Sequence, residues 1–211
     1  MKANNLLPVA KEGWRYLGGS LVFSLLFFLV DLEFLGFIAF IIFTFFIYSF
    51  RNPERQLPMF EKSSVLSPSD GVVRAIVELE DSEYTYRVDI ESSLLDVAIL
   101  RAPINGNIEA IVQHNGTRVS HKSKLFSDIN EKVTLTFSDE KNNSVKITHT
   151  LKQSFSPLFI DVSSSDNIYQ TARYGLMLNG ITSICLPRNF RINTSVGKEV
   201  KAAESLMGYF S

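Results

Sequence analysis

Few side chains in this 211-residue chain are of types that carry chemistry, and their spacing narrows what they do. The three histidines, His114, His121 and His149, stand at no ligand spacing, and the single cysteine, Cys185, excludes an intramolecular disulfide and a multi-cysteine metal site. No metal centre is expected. Cys185 sits in the strand-like run Leu178-Asn179-Gly180-Ile181-Thr182-Ser183-Ile184-Cys185-Leu186-Pro187, so the expectation is a small buried hydrophobe rather than a reactive thiol. Arg101 and Arg173 suit either a phosphate group or ordinary ion pairs at the surface or a barrel end. With 21 basic and 22 acidic residues the net charge is -1, which gives no basic field and speaks against nucleic acid as a partner.

The elements that must position these residues are mostly strands. From Val65 onward, short segments rich in Val and Ile alternate with Gly, Pro, Asn, Asp and Ser clusters, which predicts an all-β barrel or sandwich rather than a parallel α/β sheet. The predicted strands are Gly71 to Glu78, Tyr84 to Ile90, Asp96 to Arg101, Asn107 to Gln113, Lys132 to Phe137, Ser144 to Leu151, Leu158 to Val162, Ile181 to Leu186 and Phe190 to Asn193. Two segments repeat one pattern: Pro68-Ser69-Asp70-Gly71-Val72-Val73-Arg74-Ala75-Ile76 and Pro103-Ile104-Asn105-Gly106-Asn107-Ile108-Glu109-Ala110-Ile111. Their Asp-Gly and Asn-Gly pairs are turn formers, because both residues tolerate positive φ. Val196 to Glu204 reads as a similar turn-and-strand unit, of the kind found in barrel-sandwich carrier domains.

The N-terminal part is of another kind. Leu17 to Phe50 is almost wholly apolar, broken only by Asp31 and Glu33. A single span needs about 20 apolar residues, so this run is long for one helix and short for two. Two acids at mid-bilayer would each cost about 2.5 to 3.5 kcal/mol. A helical hairpin, Trp14 to Val30 and Phe34 to Phe50, puts both acids at its tip, with each arm short enough to thin the bilayer or lie tilted within one side of it. A cleaved signal peptide is disfavoured, since its apolar region is only about 7 to 15 residues. Lys2, Lys11 and Arg15 before the first arm, and Arg51 and Arg55 after the second, place both ends on the cytoplasmic side of the cell (inner) membrane. The expected organisation is a membrane-anchoring hairpin over residues 1–50 and a β-rich domain over residues 51–211.

Five ordered motifs then resemble those of the phosphatidylserine decarboxylases, small membrane-anchored type. Ser49-Phe50-Arg51-Asn52-Pro53-Glu54-Arg55-Gln56-Leu57-Pro58 is similar to the family's FFRDPER-x-x-P, with Asn52 for the aspartate. Ser67-Pro68-Ser69-Asp70-Gly71 is similar to SPADG, and Asp96-Val97-Ala98-Ile99-Leu100-Arg101-Ala102-Pro103-Ile104-Asn105-Gly106 to DVHVNRAPVDG. Asn130-Glu131-Lys132 is similar to NER, and Arg173-Tyr174-Gly175-Leu176-Met177 to the segment before the cleavage strand. The run ending at Pro187 resembles FGSRVDVYLP.

The resemblance implies a decarboxylase of phosphatidylserine that cleaves itself. A serine hydroxyl attacks the preceding carbonyl, a histidine takes its proton, an aspartate orients the histidine, and the serine becomes an N-terminal pyruvoyl group. Asp70 keeps the aspartate position. Ala98 stands at the histidine position and Gly180 at the serine position, with Asn179 at the glycine before it. Glycine has neither a hydroxyl to attack with nor a carbon to become the pyruvoyl methyl, so no pyruvoyl group is expected, and Asp70 reverts to a turn residue.

The expected function is a lipid-binding or regulatory pseudoenzyme of phospholipid metabolism, partnered by membrane phospholipid and by an active homologue or further copies of itself. Arg101 and Arg173 are its candidate phosphate ligands. The alternative is an active decarboxylase in which Thr182-Ser183, with Ser183 as substitute nucleophile, reacts with His121 or His149 as base, and which then carries a pyruvoyl group.

Overall fold

The repeated Pro-x-Asp/Asn-Gly pattern becomes a repeated piece of structure. In the computed structural model, which describes residues 7–55, 60–61, 63–80 and 83–211, Gly71 and Gly106 each open a long strand, at φ 148° and 158°. A Cβ at Gly71 would meet the Glu91 carbonyl oxygen and one at Gly106 the Ser138 carbonyl oxygen, so both turns require glycine. The strands they open are β2 (Gly71–Glu78) and β5 (Gly106–His114). Each has a register irregularity a few residues in, between Val73 and Ala75 and between Ile108 and Ala110.

Residues 55–211 form one compact unit built of antiparallel strands. Besides β2 and β5 these are β1 (Ser64–Leu66), β3 (Tyr86–Ser92), β4 (Ile99–Arg101), β6 (Lys132–Ser138), β7 (Ser144–Leu151), β8 (Phe159–Ile160), β9 (Asn167–Ile168), β10 (Arg173–Leu176), β11 (Gly180–Leu186), β12 (Phe190–Ile192), β13 (Glu199–Val200) and β14 (Leu206–Phe210). The main sheet runs β13-β2-β3-β11-β7-β6-β5-β9, and two small sheets run β1-β14-β12 and β4-β10-β8. The main order is the same from either end: β13 pairs with the start of β2 as β9 pairs with the start of β5, and the two halves meet at the β11–β7 pair. All nine predicted strands are present. The alternating burial of β6 and β11 puts Val133, Leu135 and Phe137 with Thr182, Ile184 and Leu186 on the core side.

The mainly-β class is therefore as read. Cys185 is a correction: it falls on the half-exposed face of β11 with Ile181 and Ser183, because Thr182, Ile184 and Leu186 take the buried face.

Residues 1–54 form a second unit. Its helices, α1 (Trp14–Leu29) and α2 (Glu33–Ser49), match the predicted arms within one residue at each end. Asp31, at φ 59°, turns the chain between them. Gly36 lets the helices approach, since a Cβ there would lie 3.0 Å from the Phe28 ring, and the Ser24 hydroxyl donates to the Gly36 carbonyl at 3.0 Å. The open end is closed by Ala10 N–H to Phe50 O at 2.8 Å and Asn52 N–H to Pro8 O at 2.7 Å.

The transmembrane reading of these arms is corrected. Helices of 16 and 17 residues rise only about 24 to 26 Å against a hydrocarbon core of about 30 Å. Among the described residues no helix is long and apolar enough to cross a membrane. Lys2 of the basic flank, and Gln56 to Pro58 at the end of the motif that begins at Ser49, lie outside the described residues.

Candidate functional site

Asp70 ends the turn before β2, and its carboxylate is nearly buried. Arg55 Nη2 donates to both of its oxygens, at 2.8 and 2.6 Å, and the Ala202 backbone N–H donates to Oδ1 at 2.8 Å. Arg55 also reaches Glu204 at 3.4 Å. The sequence reading counted Arg55 among the basic residues that follow the second arm at the membrane. It turns inward instead, because a buried carboxylate needs a paired cation. The long sequence separation between Arg55, Asp70 and Glu204 left no local pattern to find.

Arg101 and Arg173 are brought together as cross-strand partners of β4 and β10. Burial chiefly, then the nearby charges of Arg55 and Arg173, holds the Arg101 guanidinium below its ordinary pKa, with Asp70 and Glu204 acting in the opposite sense. The five side chains thus form one electrostatic neighbourhood with three cations and two anions. Arg101 Nη1 also donates to the Thr171 carbonyl at 3.1 Å.

Gly180, Ala98 and Asp70 are gathered by short links. Gly180 opens β11 opposite Ser92 of β3, and the Ser92 hydroxyl donates to the Asp70 carbonyl at 2.6 Å. The Ala98 carbonyl accepts from Met177 N–H at 2.8 Å. Met177 in turn packs on Gly180: a Cβ at Gly180 would collide with the Met177 sulfur and lie 2.7 Å from the Thr150 carbonyl oxygen. The space where a residue-180 side chain would begin is filled, and Ala98 is buried with only a methyl to offer. These residues do not fit a pyruvoyl group formed at position 180.

The substitute candidates separate onto opposite faces of β11. Thr182 is buried and its Oγ1 lies 2.9 Å from His149 Nδ1, while His149 Nε2 lies 2.6 Å from the Tyr174 hydroxyl. Burial pushes the His149 pKa down to about 3 and raises that of Tyr174, so both groups are neutral. The Ser183 hydroxyl, on the other face, donates to Asp89 Oδ1 at 2.6 Å, and Arg87 lies 3.2 Å from the same oxygen. His121 is with neither hydroxyl but 3.7 Å from Glu91, a carboxylate already held by Lys152 at 2.7 Å and Arg74 at 2.9 Å. Lys152 is the dominant partner, and together with Arg74 and His121 it draws the Glu91 pKa down against the opposing effect of burial. Among the described residues no three His, Cys, Asp or Glu side chains gather as metal ligands.

A mainly antiparallel β-domain thus brings Asp70, residue 98 and the head of β11 together through Ser92 and Met177. Residues 42–208 match the family described as Phosphatidylserine decarboxylase, and the chain belongs to that family. Among curated proteins, the phosphatidylserine decarboxylase proenzyme of Desulfotalea psychrophila is 26% identical over 207 residues, covering 96% of each chain. That of Carboxydothermus hydrogenoformans is 34% identical over 130 residues, 60% of each chain, and that of Ehrlichia chaffeensis is 26% identical over 215 residues, 99% of this chain and 94% of the relative.

Proposed function

We propose that this chain is a non-processed member of the family: a pseudoenzyme that attaches to the inner membrane by its apolar hairpin and binds phospholipid headgroups, alone, with further copies, or beside an active homologue. One observation carries the reading. The carboxylate that would orient a base is committed to Arg55 and the Ala202 amide, next to an alanine and a glycine that offer neither base nor nucleophile. Arg101 and Arg173, paired across β4 and β10, are the side chains for a lipid phosphate, since a guanidinium fork matches phosphate oxygens. The exposed apolar side chains of α1 and α2 support entry of the hairpin into one side of the bilayer, with both ends on the cytoplasmic face.

The test is the intact mass of the full-length protein under denaturing conditions. A single chain near 23.8 kDa is the expected result. Two chains, the smaller blocked by a ketone at its N-terminus near Thr182 or Ser183, would overturn the reading.

A second reading, a working decarboxylase processed at Thr182, has the Thr182–His149 hydrogen bond in its favour. Against it, both side chains are fully buried and Thr182 is paired on both sides, to Ile90 and to His149, so a ketone formed there would lie inside the core, away from a lipid headgroup.

A further inference from the structure

The residues at the head of β11 are Asn179-Gly180, and this pair carries a chemistry of its own. An asparagine side chain followed by glycine closes readily to a five-membered imide, because no Cβ on the following residue obstructs the approach of its backbone nitrogen. We propose that Asn179-Gly180 is a self-modification site, an imide-forming pair held unreacted by the first rungs of β11. The inference is independent of lipid binding.

In the reaction the Gly180 nitrogen loses its proton to hydroxide and attacks Asn179 Cγ. A bond forms between that nitrogen and Cγ, the Cγ–Nδ2 bond breaks, and Nδ2 leaves as ammonia. Water then opens the imide at either carbonyl to give aspartate or isoaspartate. No other reactant is required.

The fold opposes ring closure at three points. Asn179 Nδ2 donates to the Gln153 carbonyl at 2.7 Å, and the Asn179 carbonyl accepts from Lys152 N–H at 2.8 Å. Gly180 is in register with both Ser92 and Leu151, which fixes the peptide plane whose nitrogen must turn toward Cγ. Met177 lies against Gly180 on the side where a Cβ would be. Asn179 itself is half-buried in a bend, so only the clamp to residues 152 and 153 and the opening rung need release.

Reaction removes the clamp for good. Aspartate replaces the Nδ2 donor by a carboxylate oxygen facing the Gln153 carbonyl, two acceptors with no proton between them, and in isoaspartate Cγ is drawn into the main chain, so the Nδ2 donor is lost there too. Isoaspartate also adds a backbone atom immediately before β11. Local opening at this rung is therefore converted into a permanent change at the position where the family cuts its chain.

The experiment incubates the full-length protein at mildly alkaline pH, native and in concentrated urea, and maps peptides for aspartate and isoaspartate at 179. An Asn179→Gln variant controls for signal from other sites. The expected result is modification at 179 about tenfold or more slower in the native protein than in urea, since reaction must wait for local opening, and faster as pH rises. Equal rates in the two conditions would overturn the gating by β11. No product at 179 in urea would overturn the site itself. Neither outcome alters the intact-chain count that tests the proposed function, because the modification leaves the backbone in one piece.

Discussion

At the scale of single residues, a side chain gained is matched to one lost. Gly180 is compatible with its position because Met177 occupies the adjoining space. Gly180→Ala should cost about 1 to 3 kcal/mol, as overpacking does in a close-packed interior. Part of that cost comes from the sulfur, which can move, and part from the Thr150 carbonyl, which is fixed in β7. In a Met177→Ala background the same substitution should cost less, with a coupling of about 0.5 to 3 kcal/mol. Urea unfolding of the four chains of this cycle measures it, and equal costs in both backgrounds would remove Met177 from the account. Asp70 follows the same logic. The motif around it was legible, but its partner was not, since Arg55 is identified by a fold that brings residue 55 to residue 70 and not by any spacing.

At the scale of elements, strands were legible by composition and punctuation more than by length: β8, with two residues, was read, and β9, with two, was not. β6, and β7 but for His149, alternate apolar with polar residues over seven and eight positions, enough for period two to stand out, while β2 and β11 are marked by their Val and Ile content. β9 and β13 have two residues each and pair with the Gly106 and Gly71 ends of longer strands; β13 was read as part of the Val196 to Glu204 unit, and β9 had no such signal. The hairpin was legible because composition alone separates it from the rest. Its helices are too short to cross a membrane, and the proposed attachment rests on its surface: Leu25 of α1 and Ile41 of α2 are 61% and 53% exposed. An aspartate at each would cost about 2.5 to 3.5 kcal/mol if buried at depth in hydrocarbon. The Leu25→Asp, Ile41→Asp double variant of the full-length chain should lose flotation with phospholipid vesicles while its β-domain unfolds as in the parent. Undiminished flotation would remove the hairpin from the membrane.

At the scale of the whole β-domain, the Thr182–His149–Tyr174 chain holds the architecture together. Thr182 is in β11 and His149 in β7, so the pair lies on the seam where the two similar halves of the main sheet meet, and Tyr174 ties that seam to β10 of a small sheet. Periodicity could show that Thr182 and His149 face the core. It could not show that they face each other, because the register of β7 on β11 is set by side chains spread along both strands. The chain has a cost that depends on pH. His149 has an ordinary pKa of 6.5 and is held at about 3 by burial. Above pH 6.5 it is neutral both folded and unfolded, and adds no pH dependence. Between 6.5 and 3 the unfolded chain takes up a proton that the folded one refuses, so stability falls as pH falls, by about 1.4 kcal/mol per unit at most. Below about 3 the loss is complete. His149→Gln removes this slope, while the carboxylates, which titrate alike in both chains, keep theirs. Urea unfolding of the parent and the variant at descending pH should therefore show the parent losing stability relative to the variant from pH 6.5 downward, whichever chain is the more stable at neutral pH. If the two curves stay parallel, His149 is not held neutral, and the seam is open to water.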